Sequence, residues 1–218
     1  MSAPLLVIGN KRYSSWSLRG WIALKMLGMS FREERIGLFE EDTQARIKAH
    51  SPAGRVPVLV DGALTVHDSL AIMEYVNEAY GAGCLLPSDP AARALARSVC
   101  AEMHAGFPNL RETLPMNLGR QPAAYPVNEQ TELEISRILS MWEGLLSQAP
   151  SGGPYLFGPW SMADCMYLPV ATRLRAYGVD MKSHPGSAAY VDELYSLAAF
   201  QEWQADALQE NSLARYEL

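Results

Sequence analysis

Three short clusters near the start of the chain carry residue types that can do chemistry. Tyr13-Ser14-Ser15-Trp16-Ser17-Leu18-Arg19 stands between an apolar run, Leu5-Leu6-Val7-Ile8, and a helical pattern. A serine at such a turn caps the helix. The same hydroxyl can also donate to an anion that the helix dipole and backbone N–H groups favour. A thiol with an ordinary pKa of ~8.5 ionises more readily there, so Ser14 and Ser15 are candidates for stabilising a ligand's thiolate. Neither reads as a triad nucleophile, because no GxSxG elbow is present. The second cluster is Arg55-Val56-Pro57. A proline opening a strand is compatible with a cis peptide bond, which would turn the Val56 backbone outward to pair with an extended ligand. The alternative is a plain strand start. The third is His67-Asp68-Ser69 at a helix entry. Asp68 or Ser69 either caps that helix, or Asp68 holds an ammonium group while Ser69 and the helix N–H groups hold a carboxylate.

The elements that must position these clusters follow from the hydrophobic pattern. Strands are expected over 5–8, 31–36, 56–60 and 63–66, the last two joined by the hairpin signal Asp61-Gly62. Helices are expected over 16–27, from the acids at 40–42 through Ala49, and over 69–80. This β-α-β-α-β-β-α order is that of a thioredoxin-like domain. A Gly/Pro-rich stretch follows, and strand signals then nearly vanish. Helical patterns cover 91–118, 128–147, 162–177, 188–197 and 201–209. The expected architecture is therefore α/β plus all-α: a thioredoxin-like domain over 1–82, a linker over 83–91 and a C-terminal helical bundle domain over 92–218. On one edge of such a sheet, an anion-stabilising hydroxyl, a backbone-pairing strand and an amino-acid-head site suit a thiol tripeptide with a γ-glutamyl end.

Composition narrows the classes. The 218 residues are 49% hydrophobic and 19% charged with a net charge of −6, an ordinary globular balance. That charge lacks the basic footprint of a nucleic-acid or anionic-membrane binder. No apolar run approaches the ~20 residues of a membrane span. The start, Met1 to Ile8, lacks a charged n-region and reads as no signal peptide. Cys84, Cys100 and Cys165 lie far apart without metal-ligand spacing, and the 4 histidines are scattered, so no metal site is expected and a reducing, cytoplasmic compartment is.

The chain resembles the cytosolic glutathione S-transferases. Ser14-Ser15-Trp16-Ser17-Leu18-Arg19 with Ile22-Ala23-Leu24 resembles the zeta class (maleylacetoacetate isomerase) and related bacterial transferases. Ser51-Pro52-Ala53-Gly54-Arg55-Val56-Pro57-Val58-Leu59 is similar to the family's cis-proline segment, and Val66 to Tyr75 to its γ-glutamyl-binding segment. Ser161-Met162-Ala163-Asp164 resembles the family's capping box. The resemblance implies that glutathione is the co-substrate and that Ser14 or Ser15 stabilises its thiolate. It implies that Val56 pairs with the cysteinyl backbone, that Asp68 and Ser69 hold the γ-glutamyl head, and that Trp16, Arg55 and Pro57 complete the site. It also implies a homodimer and a role in detoxification. Two departures stand out: Trp16 replaces the zeta-class cysteine, and Asp68 replaces the usual Gln or Glu.

For the second substrate, His104, Phe107, Arg111, Met116 and Asn117 are candidates, with core and capping roles as the alternative. Arg173 and Arg175 are candidates for meeting an acidic substrate, against an ordinary salt bridge. Lys11 and Arg12 are candidates for drawing in the anionic tripeptide. The expected function is conjugation or isomerisation of small electrophiles with glutathione. The alternatives are maleylacetoacetate isomerase proper, a non-catalytic binding module, or a thiol oxidoreductase, which position 16 disfavours for want of a cysteine.

Overall fold

The structure, a computed structural model, describes residues 3–216; the outermost ends of the expected domain boundaries and the first residues of the expected start lie outside them. Four strands, β1 (Leu5–Ile8), β2 (Arg32–Arg35), β3 (Val58–Asp61) and β4 (Leu64–His67), form one sheet in the order β2-β1-β3-β4. β1 runs parallel to β2 and antiparallel to β3, and β3 pairs with β4 through the Gly62 turn. Gly62 has φ +59°, the left-handed conformation that the Asp-Gly signal anticipates.

Helices α1 (Ser15–Met26), α2 (Thr43–His50) and α3 (Ser69–Ala79) flank the sheet. Gly20 lets α1 lie close to the proline segment: a Cβ there would stand 3.3 Å from Pro57 Cγ. The Val56–Pro57 bond is cis. From residue 90 onward the chain is helical: α4 (Pro90–Ala105), α5 (Pro108–Thr113), α6 (Glu129–Gln148), α7 (Met162–Ala176), α8 (Pro185–Ser196), α9 (Ala198–Leu208) and a 3-10 turn at Ala214–Tyr216. The expected helical stretch 91–118 is thus two helices. Gly106 leaves α4, Phe107 takes the left-handed conformation at φ +54°, and Pro108 starts α5 anew. The residue before a proline avoids the right-handed helical region, which explains the break.

α7 is the hub. Every residue from Met162 to Ala176 except Arg175 is buried. Its N-terminus carries the expected capping box: Asp164 Oδ2 accepts from Ser161 N–H at 2.8 Å and Ser161 Oγ–H at 2.7 Å. Asp164 Oδ1 accepts from Leu156 N–H and the Tyr190 hydroxyl. Burial pushes this carboxyl pKa up, and the four hydrogen bonds oppose the shift. α7 packs against α1 and α4, so the first helix of the sheet layer and the helical region share one apolar core that includes Leu18, Ile22, Leu168 and Val170. Each such side chain contributes about 1.5–3 kcal/mol on burial.

Candidate active site

Two adjoining cavities open where α1, the proline segment and the helical region meet. The first, about 590 Å³, is lined by Val56, Pro57, Asp68, Ser69 and His104. The second, about 540 Å³, is lined by Ser14, Ser15, Phe39, Arg173, Met116 and Tyr216, among others. Trp16, Arg55, Val56 and Arg111 line both.

In the first cavity the chain turns sharply into α3. Asp68 has φ +76°, and its Oδ1 accepts from Leu70 N–H at 2.8 Å as the helix cap. Its Oδ2 lies 2.7 Å from His104 Nε2. Ser69 begins the helix, is 1% exposed, and its Oγ has no hydrogen-bond partner. A buried hydroxyl without a partner loses its hydration for nothing. At a helix N-terminus it is poised to donate to an anion.

In the second cavity Ser14 caps α1. Its Oγ accepts from Ser17 N–H at 3.3 Å and donates to Ser17 Oγ at 2.8 Å. Ser17 Oγ also accepts from Gly9 N–H at 3.0 Å, tying the cap back to the end of β1. The Ser15 hydroxyl accepts from Arg173 Nη2 at 3.3 Å, which leaves its own hydrogen available. Arg173 also donates to the Pro169 carbonyl at 3.0 Å. Behind these serines, Arg19 is fully buried, donates from Nε to the Met166 carbonyl, and has both Nη atoms unpartnered. Its guanidinium lies 4.3 Å from the Trp16 ring centroid, and that of Arg111 lies 5.6 Å from it. Burial lowers the pKa of Arg19, with Arg173 and then Arg111 adding to the shift. Burial, followed by Arg111, pushes Arg173 down to about 10. Among the described residues, no carboxylate forms a salt bridge with any of the three. Arg111 and Arg173 line the second cavity, and with Arg19 buried behind them they give the N-terminus of α1 a surplus of positive charge that favours an anion.

Residues 13–79 match the family model described as "Glutathione S-transferase, N-terminal domain", and residues 126–193 match "Glutathione S-transferase, C-terminal domain". A maleylpyruvate isomerase from Ralstonia sp is 32% identical over 186 residues, covering 80% of this chain and 87% of that protein. The chain belongs to the glutathione S-transferase family. A mouse (Mus musculus) maleylacetoacetate isomerase is 27% identical over 202 residues, covering 91% of this chain and 90% of that one. A solved structure described as a holo maleyl pyruvate isomerase, a bacterial transferase of the zeta class, superimposes with a TM-score of 0.73 at 28% identity. It covers 96% of this chain and 100% of that one.

Within this transferase, Ser14, Ser15, Trp16, Arg55, Val56, Pro57, Asp68 and Ser69 all line the paired cavities. Arg111, Met116 and Arg173 line the second, and His104 lines the first beside Asp68. Phe107 and Arg175 line neither cavity. Phe107 is buried in the core at the break between α4 and α5. Arg175, at the one position of α7 that is not buried, pairs with Asp192 and lies over Tyr195. Asn117 lines neither cavity; its Oδ1 accepts from Arg12 Nε at 3.0 Å. Lys11 is no lure for an anion. It is buried against Trp21 and Trp203 and paired with Glu33 and Asp206. Tyr13, from the first cluster, also lines the second cavity, together with Phe39 and Tyr216, which no sequence motif marks. Tyr216 stacks on Tyr13 at 4.5 Å and meets Phe39 at 6.0 Å. An aromatic residue 203 positions from its partner, as Tyr216 is from Tyr13, carries no local signal. Among the described residues no group of His, Cys, Asp and Glu can hold a metal ion, and no helix is long and apolar enough to cross a membrane.

Proposed function

We propose that this transferase binds glutathione along the first cavity and uses its thiolate, held at the N-terminus of α1, against an acidic electrophile in the second. The observation that carries the reading is the buried, unpartnered Ser69 hydroxyl at the start of α3. A γ-glutamyl carboxylate would accept from that hydroxyl and from the first N–H groups of the helix, and Asp68 would face the ammonium group. The Val56 backbone pairs with the cysteinyl unit, and Arg55, Trp16 and Pro57 enclose the peptide. The sulfur then lies beside Ser14 and Ser15. The thiol proton passes to solvent. The thiolate accepts from Ser15, whose oxygen is already engaged by Arg173, or from Ser14, once the Ser14–Ser17 hydrogen bond reverses. Lowering the thiol pKa by about two units raises the thiolate fraction many-fold near neutral pH.

The electrophile would be anionic because Arg111 and Arg173, which line the second cavity, form no salt bridge with a carboxylate among the described residues. On a double bond conjugated to a carbonyl, sulfur adds to one alkene carbon and the electron pair moves to the carbonyl oxygen. Protonation from water leaves the conjugate. If the adduct is not protonated, rotation about the former double bond, return of the electron pair from the carbonyl oxygen and expulsion of the thiolate give the isomer and free glutathione. The names of the Ralstonia and mouse relatives support the second course. We further propose a thioredoxin-like domain over 1–82, a linker over 83–91 and a helical domain over 92–218, and a homodimer acting in a reducing cytoplasm in detoxification. The free cysteines suit that compartment, and burial pushes the Cys165 thiol up, away from reactivity.

Titrating the thiolate absorbance of bound glutathione tests the reading. Ser14→Ala or Ser15→Ala should raise the bound-thiol pKa and lower kcat by roughly 10²–10³-fold, with little change in glutathione affinity. If neither variant moves the pKa, the serine mechanism is wrong.

A further inference from the structure

The loop that delivers the two serines is held by the other end of the chain. Lys11 N–H donates to Glu210 Oε1 at 2.8 Å, and Arg12 N–H donates to Glu210 Oε2 at 3.2 Å. Trp203 Nε1 donates to the Lys11 carbonyl at 2.9 Å, and Leu118 N–H donates to the Arg12 carbonyl at 3.2 Å. The backbone N–H and C=O of both residues therefore find their partners beyond residue 117. The loop's own contribution begins at Asn10, whose carbonyl accepts from Ser14 N–H at 2.8 Å.

Glu210 is an unusual anchor. Its side chain is 3% exposed, and among the described residues it pairs with Arg35 on β2, 2.8 Å away and half exposed. A buried carboxylate that bridges two consecutive N–H groups and an arginine fixes the loop's height above the sheet. It lines neither cavity, so it does not touch the reacting sulfur.

We infer that Glu210 is a positioning residue for thiolate stabilisation: through the Lys11 and Arg12 amides it sets where Ser14, Ser15 and the first N–H groups of α1 stand relative to the sulfur. This rests on the proposed serine–thiolate reading and extends it to a residue nearly 200 positions away. The chemical logic is that a donor's worth to a developing or resident anion depends on its placement, and small displacements cost rate without costing ground-state binding made elsewhere.

The test compares Glu210→Ala, Glu210→Gln, Ser14→Ala, Ser15→Ala and Tyr190→Phe in the full chain, reading thermal midpoint, bound-thiol pKa, kcat and glutathione KM. Glu210→Ala should raise the thiol pKa and lower kcat at neutral pH roughly tenfold. Its glutathione KM should move less than about twofold, because Ser69 and Val56 are untouched. Glu210→Gln keeps one acceptor oxygen and should fall between Glu210→Ala and the parent. Tyr190→Phe weakens the Asp164 network, whose hydrogen bonds go to Leu156, Ser161 and Tyr190 and not to the loop, and should lower the thermal midpoint without moving the thiol pKa. An unchanged thiol pKa and kcat in Glu210→Ala, while a serine variant shifts both, overturns the assignment and leaves the serine reading intact. Should neither serine variant shift the pKa, the reading beneath it fails instead. If Glu210→Ala does not fold, Trp203→Phe, which removes the donor to the Lys11 carbonyl, decides by the same two readouts.

Discussion

The two cavities of the cleft share Trp16, Arg55, Val56 and Arg111 but are assembled on different scales. The first is built almost wholly from contiguous chain: the Val56–Pro57 turn into β3 and the Asp68–Ser69 entry to α3, which the β3–β4 hairpin brings together. Of its lining, only His104 and Arg111 come from the helical region. The second is built by convergence. Ser15 comes from α1, Phe39 from the loop before α2, Arg111 from α5, Arg173 from α7 and Tyr216 from the C-terminal turn. On the proposed reading, recognition of a constant peptide needs backbone groups and a helix N-terminus, which two short motifs would supply. Recognition of a variable partner is left to side chains that separate elements can change one at a time.

That contrast makes selective damage possible. The largest selective effect is expected from Arg173→Met. It removes the donor to Ser15 and one of the unpaired charges. For an electrophile carrying a carboxylate, kcat/KM should fall roughly 100-fold, the upper range for a charge-assisted hydrogen bond. For a neutral electrophile of similar size it should change less than about threefold. Steady-state kinetics with a matched pair of electrophiles reads the ratio; equal losses on both would mean that Arg173 serves the thiolate alone.

Ser69→Ala is the converse cut. One donor to the γ-glutamyl carboxylate goes, but the N–H groups of α3 remain. The glutathione KM should rise about tenfold, the cost of one hydrogen bond to a charged group. The thiol pKa of bound glutathione and the discrimination between electrophiles should hold. Calorimetry with glutathione alone checks the first expectation; a parallel shift in thiol pKa would show that the two cavities are not separable in function.

The same difference in scale decides what could be read from the sequence. Strand–turn–helix junctions announce themselves locally: Asp-Gly with flanking alternation gives the hairpin, Val56-Pro57 the strand entry, and Ser161 with Asp164 the box at α7. All are found in the structure. The β-α-β-α-β-β-α order is legible for the same reason. Side chains that matter because of where a distant helix puts them are not. Arg173 and Arg175 differ by two positions on one helix, about 200° of rotation. That rotation sends Arg173 into the cleft and Arg175 to Asp192. Phe107 has the spacing of a pocket residue, yet the break before Pro108 turns it into the core. Glu210 and Tyr216 carry no motif at all, and their contacts to Lys11, Arg12 and Tyr13 exist only once the chain has closed on itself.

The smallest effect is expected outside both cavities, where Tyr80 and Tyr75 donate to Asp61 Oδ2 at the end of β3. The hydrogen bond to Asp61, then burial and the Asp61 charge, push the Tyr80 hydroxyl up to about 12. An unfolded tyrosine ionises at ~10. The folded state therefore holds this proton where the unfolded state releases it. The contribution is fully present below about pH 10 and is lost as pH rises from about 10 to about 12. Tyr80→Phe removes the linkage, so its thermal midpoint should decline less steeply than the parent's over that interval. The site is largely exposed, which keeps the difference small. Thermal midpoints measured across the alkaline range in both proteins check the slope, and kinetics at neutral pH should match on glutathione and on both electrophiles. A change in either kinetic parameter would tie this edge of the sheet to the cleft through α3, whose N-terminus carries Ser69 and whose last turn lies beside Tyr80.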